Sequence, residues 1–255
     1  MRIVFATTRG AGHLGPLIPF AHARVRAGHE VLVAGPGSVG ALARRAGLPF
    51  RPVGEPPPER VAAAWAPVWS YATAPGAAHV IGELFIGLHA RVARPGMLAA
   101  IEDFRADLVV RETCEFASVV AAERLAVPVA QVGIHLTATT DTGDGLIALA
   151  APALAAFRAE AGLVPDPTGE ALRRAPVFTQ APRSLEDPEF AEPARVRRVR
   201  AADPVSGAAF PAWGSARTTR SCTSPSAPRR RGRRGSPTSI ARPSTRSWRC
   251  PSACS

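Results

Sequence analysis

Short apolar runs alternate with segments of helical periodicity over the first 53 residues. The run RIVFATT is rich in β-branched and aromatic residues and ends in a glycine loop, which is typical of a buried parallel strand. A helix follows in GPLIPFAHARVRAG, with Pro16 in its first turn and Gly28 as its stop. HEVLVAG predicts a second strand, SVGALARRAG a second helix with Ser38 as N-cap, and LPFRPVG a third strand. This alternation predicts an α/β, Rossmann-like doubly wound parallel sheet.

The pattern continues after a stretch without a clear period, residues 54–80. A helical region runs through GELFIGLHARVARPGMLAAIEDF, with an expected break near Pro95. Strands are predicted in ADLVVRE, VPVAQVG and APVFTQAPRSLEDP, and helices in CEFASVVAAERLA and over residues 146–162. We expect no membrane span, because no apolar run reaches membrane-spanning length, and MRIVFATTRG is too short for a signal sequence. A cytoplasmic protein is therefore expected.

Positive charge is concentrated at the end of the chain. The formal net charge is +11, yet residues 216–255 hold ten of the 31 basic residues and no acidic one, so the remainder is balanced at 21 against 20. The tail is Arg, Ser, Thr and Pro with almost no apolar periodicity, which predicts disorder. We expect a Rossmann-like domain over 1–212 and a disordered tail over 213–255. The near-neutral body argues against a specific nucleic-acid partner, although a basic-tailed nucleic-acid binder is a third alternative.

An acid-free tail of Arg, Ser, Pro and Thr is also what a GC-rich gene gives when it is read out of frame. If each codon takes its first two bases from the last two of an original codon, TTRSCTSPSA (218–227) is compatible with DDPLVYLTFG. SPTSIARPSTRS (236–247) is likewise compatible with FPDLYRAAVDAL. The first back-reading has the pattern of a strand and the second that of an amphipathic helix. The hypothesis is a change of frame, and the alternative is a genuine basic disordered tail.

The loop TTRGAGHLGPLIPF carries the glycine pattern G-x-G-x-x-G at Gly10, Gly12 and Gly15. In a dinucleotide fold such glycines let the backbone approach a pyrophosphate at a helix N-terminus. That function also needs an acidic residue at the end of the second strand, and HEVLVAGPG ends there in Ala34, Gly35 and Pro36. The motif is therefore weak support for dinucleotide binding, which stays an alternative.

Three titratable residues are predicted at the carboxyl-terminal edge of the sheet. His13 follows the first strand, and an imidazole there can take a proton from a hydroxyl or simply bond locally. Glu112 follows the strand ADLVVRE, and it either orients a neighbouring imidazole or is a solvated loop acid. His135 follows another strand and is a candidate for the same cleft. No cluster has metal-ligand spacing, so no metal is expected.

Three stretches together resemble the N-terminal half of bacterial nucleotide-sugar-dependent glycosyltransferases that act on macrolides, flavonoids and related lipophilic acceptors. They are MRIVFATTRGAGHLGPLIPFAHARVRAGHEVLVAGP, ARPGMLAAIEDFRADLVVRETCEFASVVAAERLAVPVAQVG and APRSLEDP. GHLGPLIPFA followed by AGHEV is fairly specific to this group, and the resemblance ends near Pro211. It implies the GT-B architecture, in which an N-terminal Rossmann-like domain binds the acceptor and a second one binds the nucleotide sugar.

The resemblance also implies roles for individual residues. His13 matches the general base of the family, and Glu112 falls where the family often has an acid that pairs with it. The region from Trp65 to Leu88 matches the acceptor pocket, and the implied acceptor-binding residues are Gly12, Leu14, Trp65, Trp69, Phe85 and His135.

The implied reaction is inverting transfer of a hexosyl group to a hydroxyl of a lipophilic small molecule, with no cofactor beyond the nucleotide-sugar co-substrate. The motifs of the family's donor domain are absent from the printed sequence, so the chain is expected to be truncated and inactive alone. Nucleotide sugar is a partner only if a donor domain is supplied. A non-catalytic small-molecule binding module is the main alternative.

Overall fold

The computed structural model describes residues 1–71 and 73–200, and in this part of the chain seven parallel strands form one sheet. The strands are β1 (Arg2–Ala6), β2 (Glu30–Pro36), β3 (Phe50–Val53), β4 (Leu108–Glu112), β5 (Val129–Gly133), β6 (Val177–Thr179) and β7 (Val196–Arg198). Their order is β3-β2-β1-β4-β5-β6-β7, which confirms the predicted doubly wound sheet. The direction of growth reverses between β1 and β4, and at such a point the carboxyl ends of the strands open a crevice where ligands bind.

Ten α-helices connect the strands within the described residues. They are α1 (Ala11–Leu14), α2 (Ile18–Arg26), α3 (Gly40–Arg45), α4 (Pro58–Trp65), α5 (Thr73–His79), α6 (Arg91–Asp103), α7 (Ala117–Arg124), α8 (Thr137–Asp141), α9 (Leu146–Glu160) and α10 (Glu170–Arg174). Shorter 3-10 turns cover Gly15–Leu17, Gly37–Val39, Ala66–Ser70 and Arg183–Leu185, and a π-helical segment covers Val80–Ala90.

The sheet is buried on both faces, which explains the unbroken apolar runs in the sequence. Successive residues of β1 point to opposite faces. Ile3 and Phe5 belong to a cluster that includes residues of α2 and α3, whereas Val4 and Ala6 belong to a second cluster with residues of α6, α7 and α9. All four side chains are at most 1% exposed.

The predicted break near Pro95 is wrong. A continuous helical segment, formed by α5, the π-helical segment and α6, runs through Pro95 to Asp103. Met97, Ala100 and Ile101, which follow Pro95, are at most 1% exposed in the core. Pro95 cannot donate a backbone hydrogen bond, but the burial of these three side chains stabilises the helix. Tertiary packing here outweighs local helix propensity.

The same helix corrects the expectation that no run reaches membrane-spanning length. Pro75–Asp103 is 29 residues long, and its most apolar 18-residue window has a mean hydropathy of 1.2, so length and composition alone would let it cross a membrane. Half of that window is nevertheless buried within the molecule, where α9 packs along the π-helical segment. This burial is typical of a core helix.

Other local predictions also differ from the structure. Ser38 does not cap α3 with its side chain; its backbone N–H instead donates to Oε2 of Glu55 at 3.0 Å, and the helix starts through a 3-10 turn. Residues 54–80 contain α4 and α5 despite their lack of a period, and β7 was not predicted at all. The described residues belong to one compact unit. The predicted boundary at 212 and the tail with its frame hypothesis lie outside the described residues.

Candidate active site

The glycine loop leaves β1 at the point of reversal in the sheet. Of its three glycines, Gly10 alone has a positive φ, +114°, which an L side chain rarely adopts. A Cβ at Gly12 or Gly15 would meet nothing within 4 Å among the described residues. In a dinucleotide-binding turn the third glycine permits close packing of the helix on the strand, so the open space at Gly15 does not favour that function. The turn at Gly10 instead leads directly into α1, which carries His13.

His13 and Glu112 meet across the point of reversal. Glu112 is the last residue of β4 and is fully buried, whereas the His13 side chain is 20% exposed. Nδ1 of His13 lies 3.1 Å from Oε1 of Glu112, within ion-pair distance, although the contact is not aligned as a hydrogen bond. The carboxylate favours the tautomer that carries its proton on Nδ1, which leaves the Nε2 lone pair free to accept another proton. The predicted pairing of these two residues is therefore present in the structure.

Three donors hold the carboxylate of Glu112 in place. The backbone N–H and the hydroxyl of Thr8 both donate to Oε1, at 3.3 and 3.0 Å. The backbone N–H of Cys114 donates to Oε2 at 2.6 Å. A buried carboxylate with three donors keeps its charge and its orientation, so its position relative to His13 is fixed before any ligand binds.

The pair shifts the pKa values of both partners toward their charged forms. Burial lowers the pKa of His13, but the Glu112 carboxylate outweighs it, and the net pKa lies above the ordinary value. Burial raises the pKa of Glu112, yet His13, the Cys114 N–H and the nearby Arg111 together lower it below its usual range. Such an imidazole is a stronger base than a free histidine, which suits it to take a proton from a hydroxyl.

Cys114 adds a third side chain that the sequence analysis did not place here. The potential ligand atoms of His13, Glu112 and Cys114 lie within 4.8 Å of one another, contrary to the expectation of no such cluster. Burial and the neighbouring Glu112 raise the pKa of the Cys114 thiol far above its usual range, so the sulfur is protonated. Both oxygens of Glu112 already accept hydrogen bonds. The chemistry of this set therefore does not fit a resident metal ion.

A cavity of about 490 Å³ opens beside the pair. Phe85 lies between the ion pair and the cavity. Its ring packs edge-on against that of His13, with 5.5 Å between the centroids, and it also lines the cavity. The wall is chiefly apolar and aromatic, formed by side chains that include Trp69, Tyr71, Val80, Ile81 and Leu146. Cys114 and His135 complete the lining near the sheet. Such a cavity suits an apolar small molecule that carries a few polar groups.

The structure brings some predicted acceptor-binding residues to this cavity and leaves others away from it. Trp69, Phe85 and His135 line it, and Trp69 is 85% exposed at its margin. Trp65 and Gly12 are not among its lining residues in the described part of the chain. Leu14 is fully buried in the core below the loop, so its predicted contact with an acceptor is wrong.

Sequence reasoning missed Thr8 and Cys114. Thr8 and Cys114 each lie two residues from the end of a strand, at the edge where His13 and Glu112 were sought, so position was an available signal. Tyr71 lies within the region from Trp65 to Leu88 that was predicted to form the acceptor pocket, although it was not named individually.

Comparison with solved structures gives close matches in fold. SsfS6, a glycosyltransferase from Streptomyces sp. SF2575, is 28% identical with a TM-score of 0.59, over 79% of this chain and 54% of that one. The glycosyltransferase SnogD from Streptomyces nogalater is 26% identical with a TM-score of 0.60, over 86% and 56%. The spinosyn rhamnosyltransferase SpnG, 24% identical with a TM-score of 0.61, shares the fold.

The resemblance to the N-terminal part of GT-B glycosyltransferases that the sequence carries is thus confirmed. The chain spans about half the length of these proteins. No protein-family model matches the sequence, and no curated protein matches it.

Proposed function

We propose that this chain is the acceptor-binding half of an inverting glycosyltransferase that transfers a hexosyl group to a hydroxyl of a lipophilic small molecule. The observation that carries the proposal is the His13–Glu112 ion pair at the point of reversal in the sheet, beside an apolar cavity. The likeness to two Streptomyces glycosyltransferases supports it independently.

In the proposed reaction, Nε2 of His13 accepts the proton of the acceptor hydroxyl. The hydroxyl oxygen then forms a bond to the anomeric carbon of the sugar, and the bond from that carbon to the nucleoside diphosphate breaks on the opposite face. Glu112 stabilises the imidazolium that forms, and Thr8 and Cys114 hold Glu112. A positioned general base contributes about 10²–10⁴-fold to the rate. This scheme needs no resident cofactor or metal.

The nucleotide sugar would be bound by a second domain. SsfS6 has been solved in complex with thymidine diphosphate, and this chain spans about half of that protein. We propose a thymidine diphosphate sugar as donor and a natural-product aglycone as acceptor, in the cytoplasm. The back-read strand DDPLVYLTFG resembles the first strand of the family's donor domain and supports a change of frame as the reason why its motifs are missing.

The test restores the reading frame. DNA sequencing across codons 210–220 decides whether a shift opens a long downstream frame, and its absence would reject the frame hypothesis. The restored chain should transfer sugar, and His13→Ala should lower kcat about 10²–10⁴-fold. His29→Ala, in an exposed turn after α2, is the matched control and should leave kcat unchanged. Equal rates for His13→Ala and the parent would remove His13 from the mechanism.

A non-catalytic binding module is the second candidate, favoured by the cavity alone. It predicts that the restored chain binds acceptors and transfers nothing. Since a binding protein has no need of a buried carboxylate that raises the basicity of an imidazole, the ion pair favours the enzyme.

A further inference from the structure

His135 is the histidine that lines the cavity, and it has no part in the proton transfer described above. It follows β5, whose carboxyl end lies beside that of β4 because the two strands pair with Glu112 opposite Val132. Its ring lines the same cavity as Phe85 and Cys114. Among the described residues it makes no side-chain hydrogen bond, so its two nitrogens are available to a ligand.

Hydrogen bonds fix the backbone on either side of His135. The N–H of Ile134 donates to the hydroxyl of Thr113 at 3.2 Å, which ties the exit of β5 to that of β4. The N–H of Thr137 donates to Oε1 of the buried Glu186 at 2.8 Å. The imidazole is therefore presented from a short segment with both ends fixed, and a polar group held in this way can discriminate between ligands.

The imidazoles of His13 and His135 are electrostatically different. Burial lowers the pKa of His135, and the charge of His13 lowers it further against the opposing effect of Glu112. His135 is consequently neutral at pH 7, with one nitrogen that donates a hydrogen bond and one that accepts. A neutral ring of this kind suits a hydroxyl or carbonyl oxygen of a ligand, rather than a charged group.

We propose that His135 is a specificity-determining residue that binds a second polar group of the acceptor, so that the site selects molecules with at least two oxygen substituents on an apolar body. One hydroxyl reaches His13, and the other oxygen hydrogen-bonds to His135. The inference rests on the proposed acceptor cavity. A site built to hydrogen-bond a hydroxyl discriminates against an analogue that lacks it, because its polar group is then left unpaired.

The experiment measures binding and needs no donor domain. The 255-residue chain is titrated with 2-naphthol and with 2,7-dihydroxynaphthalene, and affinities are obtained by calorimetry. The dihydroxy compound should bind about fivefold to tenfold more tightly, the effect of one hydrogen bond. In His135→Phe the two compounds should bind alike, while His135→Gln, which keeps a donor and an acceptor, should retain part of the preference.

Controls distinguish the role of His135 from the proposed acceptor cavity on which it rests. His29→Phe changes an imidazole at the opposite end of the strands and should keep the full preference. NMR should show the His135 ring signals shifting with the dihydroxy compound and much less with 2-naphthol. If both compounds bind the parent equally, or if His135→Phe keeps the preference, His135 has no such role although the cavity stands. If neither compound binds, the acceptor cavity itself is rejected, and this inference with it.

Discussion

At the scale of single residues, Glu112 connects the two halves of the candidate site. One of its oxygens faces His13 and accepts from Thr8, while the other accepts from the backbone of Cys114. Its charge therefore governs the basicity of His13, and its burial makes the interaction strong. A change of one atom in Glu112 tests this coupling without the donor domain.

Glu112→Gln removes the charge and keeps the shape. Burial then acts on the imidazole without opposition, so the pKa of His13 should fall from above its ordinary value of 6.5 to below it. An NMR titration of the His13 ring signals in the full chain measures this directly. Glu59→Gln, on the exposed side of α4, is the control and should leave that pKa in place. An unchanged pKa in Glu112→Gln would show that the ion pair does not set the basicity of His13.

The position of a residue at a strand end was readable from the sequence, whereas its environment was not. His13, Glu112 and His135 were all found by one rule, that ligands bind where parallel strands end. Leu14 was misplaced because its neighbour His13 points to the crevice while Leu14 turns into the core, a distinction set by the turn at Gly10. Cys114 was overlooked although its place two residues after β4 satisfies the same rule.

At the scale of elements, α8 depends on a carboxylate far along the chain. The N–H groups of Thr137 and Ala138, at the start of α8, donate to the two oxygens of Glu186, and Arg198 of β7 donates to Oε1. Although burial opposes it, these donors lower the pKa of Glu186 to about 2. Through Glu186, the stretch RSLEDP therefore connects β7 to α8, the helix that follows His135.

Glu186→Gln should lower the free energy of unfolding by about 1.5–3 kcal/mol at pH 7, since it removes hydrogen bonds to a charged group. A lowered pKa in the folded state stabilises the fold above the ordinary value of 4.5, and this contribution is lost as the pH falls toward about 2. The difference between parent and variant should shrink over that range in urea unfolding. Glu189→Gln, exposed in the same loop, should behave like the parent at every pH.

The packing of β3 against α6 allows a second test at this scale. A Cβ on Gly54, directly after β3, would lie 2.2 Å from the carbonyl oxygen of Val92 in α6. Gly54→Ala should therefore cost about 1–3 kcal/mol of stability, because the backbone must move. Gly12→Ala meets nothing within 4 Å and is the matched control. If the two variants have equal midpoints in urea unfolding, β3 and α6 are not packed as the structure has them.

At this scale the sheet could be predicted, and the long helix could be predicted except for its continuity through Pro95. Continuous apolar runs between glycine loops mark buried parallel strands, and β1 to β6 were all indicated in this way. Pro95 predicts a break in the helix, whereas the packing of Met97, Ala100 and Ile101 keeps the helix continuous. β7 is three residues long, VRR, and its pairing with β6 is a long-range contact that local pattern does not contain.

At the scale of the whole molecule, binding and transfer should separate. The described residues form the acceptor side of the proposed site, with its base and cavity, and the chain spans about half the length of SsfS6 and SnogD. Group transfer requires that both reactants are bound and correctly positioned relative to each other. Half of a site therefore binds one reactant but does not accelerate the reaction.

We therefore expect the 255-residue chain to bind 2,7-dihydroxynaphthalene in calorimetry and to show no transfer from a thymidine diphosphate sugar when product is followed by mass spectrometry. Thymidine diphosphate itself should not bind, because the groups that hold it would belong to the second domain. Turnover by the purified chain would show that it carries a complete donor site. It would contradict the proposal that this chain binds the acceptor and a second domain binds the nucleotide sugar. If thymidine diphosphate binds tightly and Arg9→Ala abolishes that binding, its site lies at the glycine loop. The loop would then have the dinucleotide-type function that the open space at Gly15 argues against.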